Sequence, residues 1–492
     1  MSTSIRRRRG LNYAGVLFLV GRLLLALAVA LILPGILAHF TNREARLPFF
    51  ISAALAAVAG IFLQRRFDQG GDFQFGRREA FLLVCSAWLV ATVAGALPFV
   101  LFFGPSFIVD ALFESASGFT TTGASIFVDV ESLPESLLLW RALTQWIGGM
   151  GIIVLGIAIL PKLAVGGMEL LGAEAPGPMQ EKLTPRIAQT AKALWGLYFM
   201  LTACEIGLLT LLGLTPLDAV THAFASMATG GFSTKNASIA AFESAAVEWT
   251  VTGFMFLAGA NFTLHYQWIR GRFRPIWRDP EFRLYGGIIA VSSFLVLVNL
   301  RLGGTTDAVL ESLRLAAFQV VSIVTTTGFA TADYDRWPQV AQTVLWALMF
   351  VGGCAGSTGG SVKVVRLLIV LKKIAGDLKR MLQPRAVLPV RLGTRAIPED
   401  VVSSVTTFFV LFLMFFVAGG FLLTTIGVDP RSAFSASAAC LGNIGPGFGQ
   451  VGPTLNYASL PAAGKCLLAI LMIVGRLEIY TVMVVFFFRR MA

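Results

Sequence analysis

A short motif recurs four times along the chain, each time between two long apolar runs. It is clearest as Thr120-Thr121-Thr122-Gly123 and Thr325-Thr326-Thr327-Gly328. It is looser as ATGGF (228–232) and GNIGPGF (442–448). Aligned on the last shared glycine, the anchors are Gly123, Gly231, Gly328 and Gly445, spaced by about a hundred residues, the signature of a repeat architecture. Four copies between apolar runs predict one ring built by a single chain.

Ahead of the first motif, Asp110–Phe119 reads as a short helix opened by Asp110. The polar, β-branched motif after it should be extended. Asp218 precedes Gly231 by the same offset as Asp110 precedes Gly123, so a common helix start is expected, with Asp307 and Asp429 opening the other two. Such a stretch suits a cation pathway. Backbone carbonyls of an extended segment can replace the water shell of an ion. Glycine permits backbone angles that other residues resist. The C-terminus of a short helix adds a partial negative charge. The competing reading is a set of Ser/Thr/Gly packing motifs of the kind found where membrane helices touch.

Of the 492 residues, 56% are hydrophobic and 13% charged. Apolar runs of about 20 residues recur, the length a helix needs to cross a bilayer. They are too long for barrel strands, so the chain reads as an all-α polytopic membrane protein. The net charge of +12 has its cause in loops rich in Lys and Arg on one side of the membrane, which makes nucleic acid an unneeded partner. The five cysteines and three histidines are dispersed and show no metal or redox spacing. No paired carboxylates, His-rich set or Ser/His arrangement at membrane depth supports an enzyme. A membrane sensor or scaffold would leave the four motifs unexplained.

In chain order, residues 1–77 form a leading two-helix hairpin after Arg6–Arg9. Residues 78–188 form the first repeat, of helix, short pore helix and return helix over about Pro134 to Leu160. Its trailing segment 171–178 is expected to be folded at the cytoplasmic face. Residues 189–280 are the second repeat, with a return helix over Val247 to Ile269. Residues 281–396 are the third and 397–492 the fourth, with a last helix from about Ala458 to Phe488. Basic clusters (Arg65, Arg66, Arg77, Arg78; Arg270–Arg283; Arg489, Arg490) fall on one side if each repeat contributes two spans and a re-entrant loop. This gives ten spans with both termini cytoplasmic. The opposite segments are acidic (Asp110, Glu114, Asp129, Asp218, Asp333, Asp335, Asp429), either concentrating cations or serving as a solvated rim and helix caps.

Two features sit on the cytoplasmic side of the motifs. The third repeat's second helix is overlong, about Val340 to Leu371, and is broken by Gly352, Gly353, Gly356, Ser357, Thr358, Gly359 and Gly360. Irregular backbone at membrane depth requires protein or a watery cavity around it, which favours a movable plug over a passive kink. Arg476 lies some 20 Å up the last helix from Arg489, at a rise of 1.5 Å per residue. A charge at that depth is functional by default. It is either a barrier on the pore axis or a structural partner of Glu478 or of carbonyls in the glycine-rich break.

Taken together, TTTGA (120–124), ATGGF, TTTGF (325–329), GNIGPGF, GGCAGSTGGSVKVVR (352–366) and GRLEIYT (475–481) resemble the Trk/Ktr/HKT superfamily of potassium transporters. The leading hairpin places the resemblance nearest its bacterial TrkH branch. It covers nearly the whole chain. It implies four pseudo-symmetric repeats around one central pore in the bacterial inner membrane, with potassium as transported substrate and no bound organic cofactor on this chain. It implies a homodimer and a cytosolic, nucleotide-binding regulatory subunit of the TrkA type. It also implies filter roles for Thr121, Thr122, Gly123, Thr229, Gly230, Gly231, Thr326, Thr327, Gly328, Asn443, Ile444 and Gly445. Members with serine at the first filter glycine tend to favour sodium, so Gly123 points to potassium. The fourth motif departs most from the others. Proton- or sodium-coupled symport remains the alternative to gated flux. Intramembrane acids able to relay protons are few, Glu205 and Glu478 being candidates.

Overall fold

The protein is represented by a computed structural model that describes residues 11–68, 76–158, 183–305, 308–386, 388–393 and 395–484. Arg6–Arg9, the 171–178 segment, Asp307 and Arg489–Arg490 lie outside the described residues.

The chain opens with α1 (Tyr13–Thr41) and α2 (Arg43–Phe67), paired through a tight turn at Asn42. Asn42 closes one helix and its side chain caps the next, accepting from the Glu44 N–H at 3.0 Å. The repeats follow. The first holds α3 (Arg77–Phe103), α4 (Ile108–Phe119) and α5 (Glu135–Ala158). The second holds α6 (Leu183–Leu211), α7 (Pro216–Met227), α8 (Ala245–Gly259) and α9 (Phe262–Ile269), with the short α10 (Arg274–Arg278) after it. The third holds α11 (Pro280–Leu302), α12 (Val309–Val324), α13 (Gln339–Leu348) and α14 (Val364–Leu382). A two-stranded ribbon, β1 (Arg391–Leu392) and β2 (Arg395–Ala396), leads to the fourth: α15 (Glu399–Thr425), α16 (Pro430–Leu441) and α17 (Ala462–Arg476).

Among the described residues, six helices are by themselves long and apolar enough to cross a membrane. They are the hairpin and the four first helices α3, α6, α11 and α15. Their outer faces expose Leu211, Leu302, Phe199 and Phe421, which suits contact with lipid. The second helices, expected from the sequence to make the other four spans, differ in kind. Helix α5 carries Arg141 and Gln145, and the other three are interrupted.

Two of these interruptions correct the sequence expectation. The second repeat's return helix is split at Ala260–Asn261, where Asn261 caps α9 by accepting from Thr263 N at 2.8 Å. The last helix stops at Arg476, and the backbone turns through Glu478 (φ 59°) and Ile479 (φ 41°). Arg476 therefore sits at a helix C-terminus, where a cation complements the dipole, and not midway along a continuous span. Asp110 is a third correction. It is the third residue of α4, as Asp218 is of α7, so the shared offset marks equal positions in the first turn rather than N-caps. Thr215 caps α7, and among the described openers only Asp429 caps its helix directly, accepting from Ser432 N at 3.1 Å.

The four short helices stand inside the bundle. Helix α4 packs on α3 and α5 of its own repeat and on α17 of the fourth. Helix α7 likewise reaches α5 of the repeat before it, and α12 reaches α8. The hairpin packs on the first repeat, where Phe49 meets Trp140 edge-on and the Trp140 indole N–H donates to Gly95 O at 3.0 Å.

Most of the acidic residues are engaged in structure. Asp110 pairs with Lys465, Asp333 with Arg336 and Asp335 with Arg431. Asp129 binds the Asn236 amide. This fits the rim-and-cap alternative. Glu114 is buried against Arg141 at 2.7 Å, and its other oxygen accepts from Ile126 N. Arg141 also donates to Ser233 O at 3.0 Å and lies over the Phe232 ring, joining the first two repeats. Glu114→Ala leaves a buried guanidinium unpaired and should cost about 3–5 kcal/mol. Replacing both partners, Glu114→Leu with Arg141→Met, should recover most of that loss. Thermal unfolding in detergent checks both.

Candidate functional site

Each short helix closes in the same way. The N–H groups of Thr122, Gly230, Thr327 and Ile444 bond to the carbonyls of Ser117, Ala225, Ser322 and Ala439, all at 2.8 Å. The preceding N–H groups, of Thr121, Thr229, Thr326 and Asn443, reach Gly118, Ser226, Ile323 and Cys440. This pair of bonds is a Schellman closure, which needs one left-handed residue. Glycine usually fills that place. Here it holds Thr121 (φ 53°), Thr229 (φ 53°), Thr326 (φ 59°) and Asn443 (φ 54°). A β-branched residue in that region costs about 1–3 kcal/mol and persists only where its surroundings over-determine it.

Two residues further on, Gly123, Gly231, Gly328 and Gly445 also have positive φ (83°, 75°, 82° and 99°). They need glycine for a second reason. A Cβ on Gly123 would stand 2.1 Å from the carbonyl oxygen of Gly230. A Cβ on Gly231 would meet Thr327 O at 2.0 Å, and one on Gly328 would meet Ile444 O at 2.0 Å. The circle closes at Gly445, whose Cβ would stand 2.6 Å from Thr122 O. Each repeat thus offers one carbonyl to the glycine of the repeat before it, in the order one, two, three, four, one. All the motif residues singled out in the sequence belong to this ring.

Side chains fix the ring from behind. Gln145 donates to Gly230 O at 2.6 Å and accepts from Phe232 N at 3.1 Å. Asn443 donates to Thr122 Oγ1 at 3.0 Å and to Met472 O at 2.9 Å. Tyr457 donates to Gly445 O at 2.7 Å. Thr120 with Thr122, and Thr325 with Thr327, form matching hydroxyl pairs at 2.7 and 2.8 Å. Thr121 Oγ1 and Asn443 Oδ1 are buried with no hydrogen-bond partner. An oxygen set of carbonyls and hydroxyls suits a dehydrated monovalent cation. No cluster of three His, Cys, Asp or Glu residues able to hold a metal occurs among the described residues.

The two sides of the ring differ. Residues following the glycines line a cavity of about 120 Å³ shared by all four repeats, where Arg141 and Lys235 are the charged residues. Against the other side lies the glycine-rich loop between α13 and α14. Gly360 N donates to Thr326 Oγ1 at 2.7 Å. A Cβ on Gly359 would stand 3.0 Å from Thr325 O, and one on Gly360 would stand 2.5 Å from Gly442 O. The loop therefore reaches the ends of two pore helices, and a third through Thr358, whose hydroxyl donates to Met227 O at 3.2 Å. Ser357 and Thr358 are buried.

The loop also fills the break in the second repeat. Cys354 N donates to Gly259 O at 2.8 Å, and Phe262 N donates to Gly356 O at 3.2 Å. A Cβ on Gly353 would crowd Gly259 O at 2.7 Å, and one on Gly352 would stand 2.1 Å from Gly360 O. Arg476 is buried beneath this assembly. It donates to Thr358 O at 2.8 Å and to Gly148 O at 3.4 Å, and its Nε has no partner. Of the two structural partners weighed for it, the carbonyls are the ones found. Glu478 pairs with Arg366 at 2.6 Å instead.

Several residues here escaped the sequence reading. Arg141 and Gln145 were visible as polar groups inside an apolar run, the signal that exposed Arg476. Lys363, whose ammonium reaches Gly359 O, and Arg366 follow the glycine-rich break and read as ordinary basic flank. Glu281, which bonds the loop, was hidden by its place in a helix's first turn, where an acid is expected.

Residues 48–490 match the TrkH family, described as cation transport proteins. The chain is 40% identical to the Trk system potassium uptake protein TrkH of Salmonella typhimurium (strain LT2), over 97% of this chain and 99% of the relative. It is 34% identical to the Trk system potassium uptake protein TrkI of Halomonas elongata, over 96% of each chain. Its structure superposes on the crystal structure of the potassium transporter TrkH from Vibrio parahaemolyticus with a TM-score of 0.87 at 37% identity, covering 96% of this chain and 98% of that one. The four-fold ring, the leading hairpin and these near full-length similarities identify the chain as a member of the TrkH family of cation transport proteins.

Proposed function

We propose that this chain is the membrane subunit of a bacterial potassium-uptake system, passing potassium through the ring of four closures. The observation that carries this is the cyclic exchange of carbonyls, Gly123 to Gly230, Gly231 to Thr327, Gly328 to Ile444 and Gly445 to Thr122. The C-terminal ends of α4, α7, α12 and α16 all lead into it, and their dipoles favour a cation there. The unpartnered oxygens of Thr121 and Asn443 are further acceptors. The relatives' names, Trk system potassium uptake proteins, support potassium as cargo.

In this reading Thr121, Thr122, Gly123, Thr229, Gly230, Gly231, Thr326, Thr327, Gly328, Asn443, Ile444 and Gly445 form the filter. Gly352, Gly353, Gly356, Ser357, Thr358, Gly359 and Gly360 form the gate, and Arg476 is both its pin and an electrostatic barrier. The chain works in the inner membrane as a homodimer with both termini cytoplasmic, regulated by a cytosolic nucleotide-binding subunit of the TrkA type. A second reading, coupled symport, is favoured by Glu205. It is buried in α6, holds the Ser226 hydroxyl with one oxygen and leaves the other unpartnered.

Two variants test the pathway in proteoliposomes loaded for rubidium uptake, with potassium and sodium in competition. Gly123→Ser places a side chain where Gly230 O now stands, and should lower discrimination against sodium about tenfold, or 1.4 kcal/mol. Absence of any cation flux in the unaltered protein, with or without a cytosolic partner, would sink the pathway. Arg476→Gln keeps an N–H for Thr358 O and removes the charge. Partner-free flux should rise about tenfold, a fraction of the full Coulomb term at an effective dielectric of 20. Unchanged flux would remove Arg476 as a barrier. Flux that persists with the proton gradient collapsed argues against proton coupling through Glu205.

A further inference from the structure

Glu281 is the second residue of α11, after the Asp279 cap and Pro280. A carboxylate in a helix's first turn is ordinarily a solvated partner of the dipole. This one is buried. Its Oε1 accepts two backbone hydrogen bonds, from Ala355 N at 2.6 Å and from Val365 N at 3.0 Å. Those residues stand on either side of the sharpest part of the glycine-rich loop, the turn at Gly356 (φ 74°) and the run through Ser361 (φ 50°). One oxygen thus holds the middle of the loop and the start of the helix that leaves it.

Neither donor has a ready alternative. Val365 is in the first turn of α14, where an N–H has no partner within its own helix. Ala355 N faces the same carboxylate from irregular backbone, and an unsatisfied amide in a buried site is costly. Within the loop and its flanks the closure comes from Gly352 N to Val362 O at 2.8 Å, Val364 N to Gly353 O at 3.2 Å, Ser361 Oγ to Met349 O at 2.8 Å and Lys363 Nζ to Gly359 O. The loop's bonds to the pore helices, to Gly259 and to Arg476 hold it from the ring side and from below, whereas the Glu281 bonds tie it to the first helix of its own repeat. Beyond Val365, helix α14 runs on to Leu382 and exposes Leu378, Met381 and Leu382, so its far end is open to a cytosolic partner.

We propose that Glu281 is the latch of the glycine-rich loop, a positioning residue that holds the turn before Gly356 and the first turn of α14 against the start of α11. A pull on α14 then releases the loop by separating Val365 from Glu281. The consequence for ion flux rests on the gate reading above, whereas the latch itself does not.

The test uses the full chain in proteoliposomes, with Cys85, Cys204, Cys440 and Cys466 replaced by serine. Cys354, buried within the loop, remains as a reporter. Its modification by a water-soluble maleimide and the partner-free rubidium flux are both measured. Glu281→Ala removes the acceptor. Glu281→Asp keeps the charge and shortens the reach. Glu281→Gln keeps the reach and an acceptor oxygen and loses the charge. The alanine and aspartate variants should be modified about tenfold faster, as expected for losing a hydrogen bond to a charged group, with flux raised alongside. The glutamine variant should stay within about threefold of the unaltered protein. If the alanine variant does not fold, the aspartate and glutamine pair decides. Modification unchanged in the aspartate variant, or equally fast in the glutamine variant, overturns the latch. Faster modification with unchanged flux leaves the latch standing and removes the gate.

Discussion

Inside hydrocarbon no water is present to satisfy an exposed peptide group, so every helix that breaks there must find its partners in protein. Among the described residues three second helices break, and the breaks answer one another. Ending α8 at Gly259 releases that residue's carbonyl, and starting α9 leaves the N–H of Phe262 free. The loop of the third repeat supplies Cys354 N to the one and Gly356 O to the other. Ending α17 at Arg476 puts a guanidinium where Thr358 O points down from the same loop. The glycine-rich segment is therefore less an insertion into a finished bundle than the piece that makes two interrupted helices tolerable.

The same constraint explains the ring. Four short helices stop in the interior, and each has carbonyls to satisfy at its end. The Schellman closure recovers two of them per helix and demands a left-handed residue. With threonine in that place three times, the strain is carried by packing on all sides. Each following glycine is hemmed in by the neighbouring repeat's carbonyl. Four-fold repetition of one costly conformation, in sequences as different as TTTG and NIGPG, shows that the backbone path is the shared feature and that the side chains fit around it.

The fold was legible in the sequence where signals are long or repeated. Apolar runs gave the helical membrane class, and four glycine anchors gave the ring. What could not be read was where helices stop. Asn261 looks like any polar residue in a run from Val247 to Ile269, yet it caps a new helix because the loop of a distant repeat occupies the break. The turn at Glu478–Ile479 follows Gly475, but a single glycine inside an apolar run reads as a packing site, and this one does pack against Leu441 O. Asp110 was readable as a first-turn acid but not as a partner of Lys465, some 355 positions away. Pair partners across repeats are set by three-dimensional closure, and one sequence does not carry them.

The closing contact of the ring joins the first repeat to the last, through Asn443 and Thr122 and through Gly445 against Thr122 O. During synthesis the first three repeats enter the membrane while the fourth is still absent. The segment that seals the circle is among the last to be made. A contact between residues 321 positions apart is thus the one that completes the ring, and such contacts form late. A nascent or prematurely ended chain has three sides of a ring and nothing to close it, so the fourth glycine anchor is the step on which the whole circle waits.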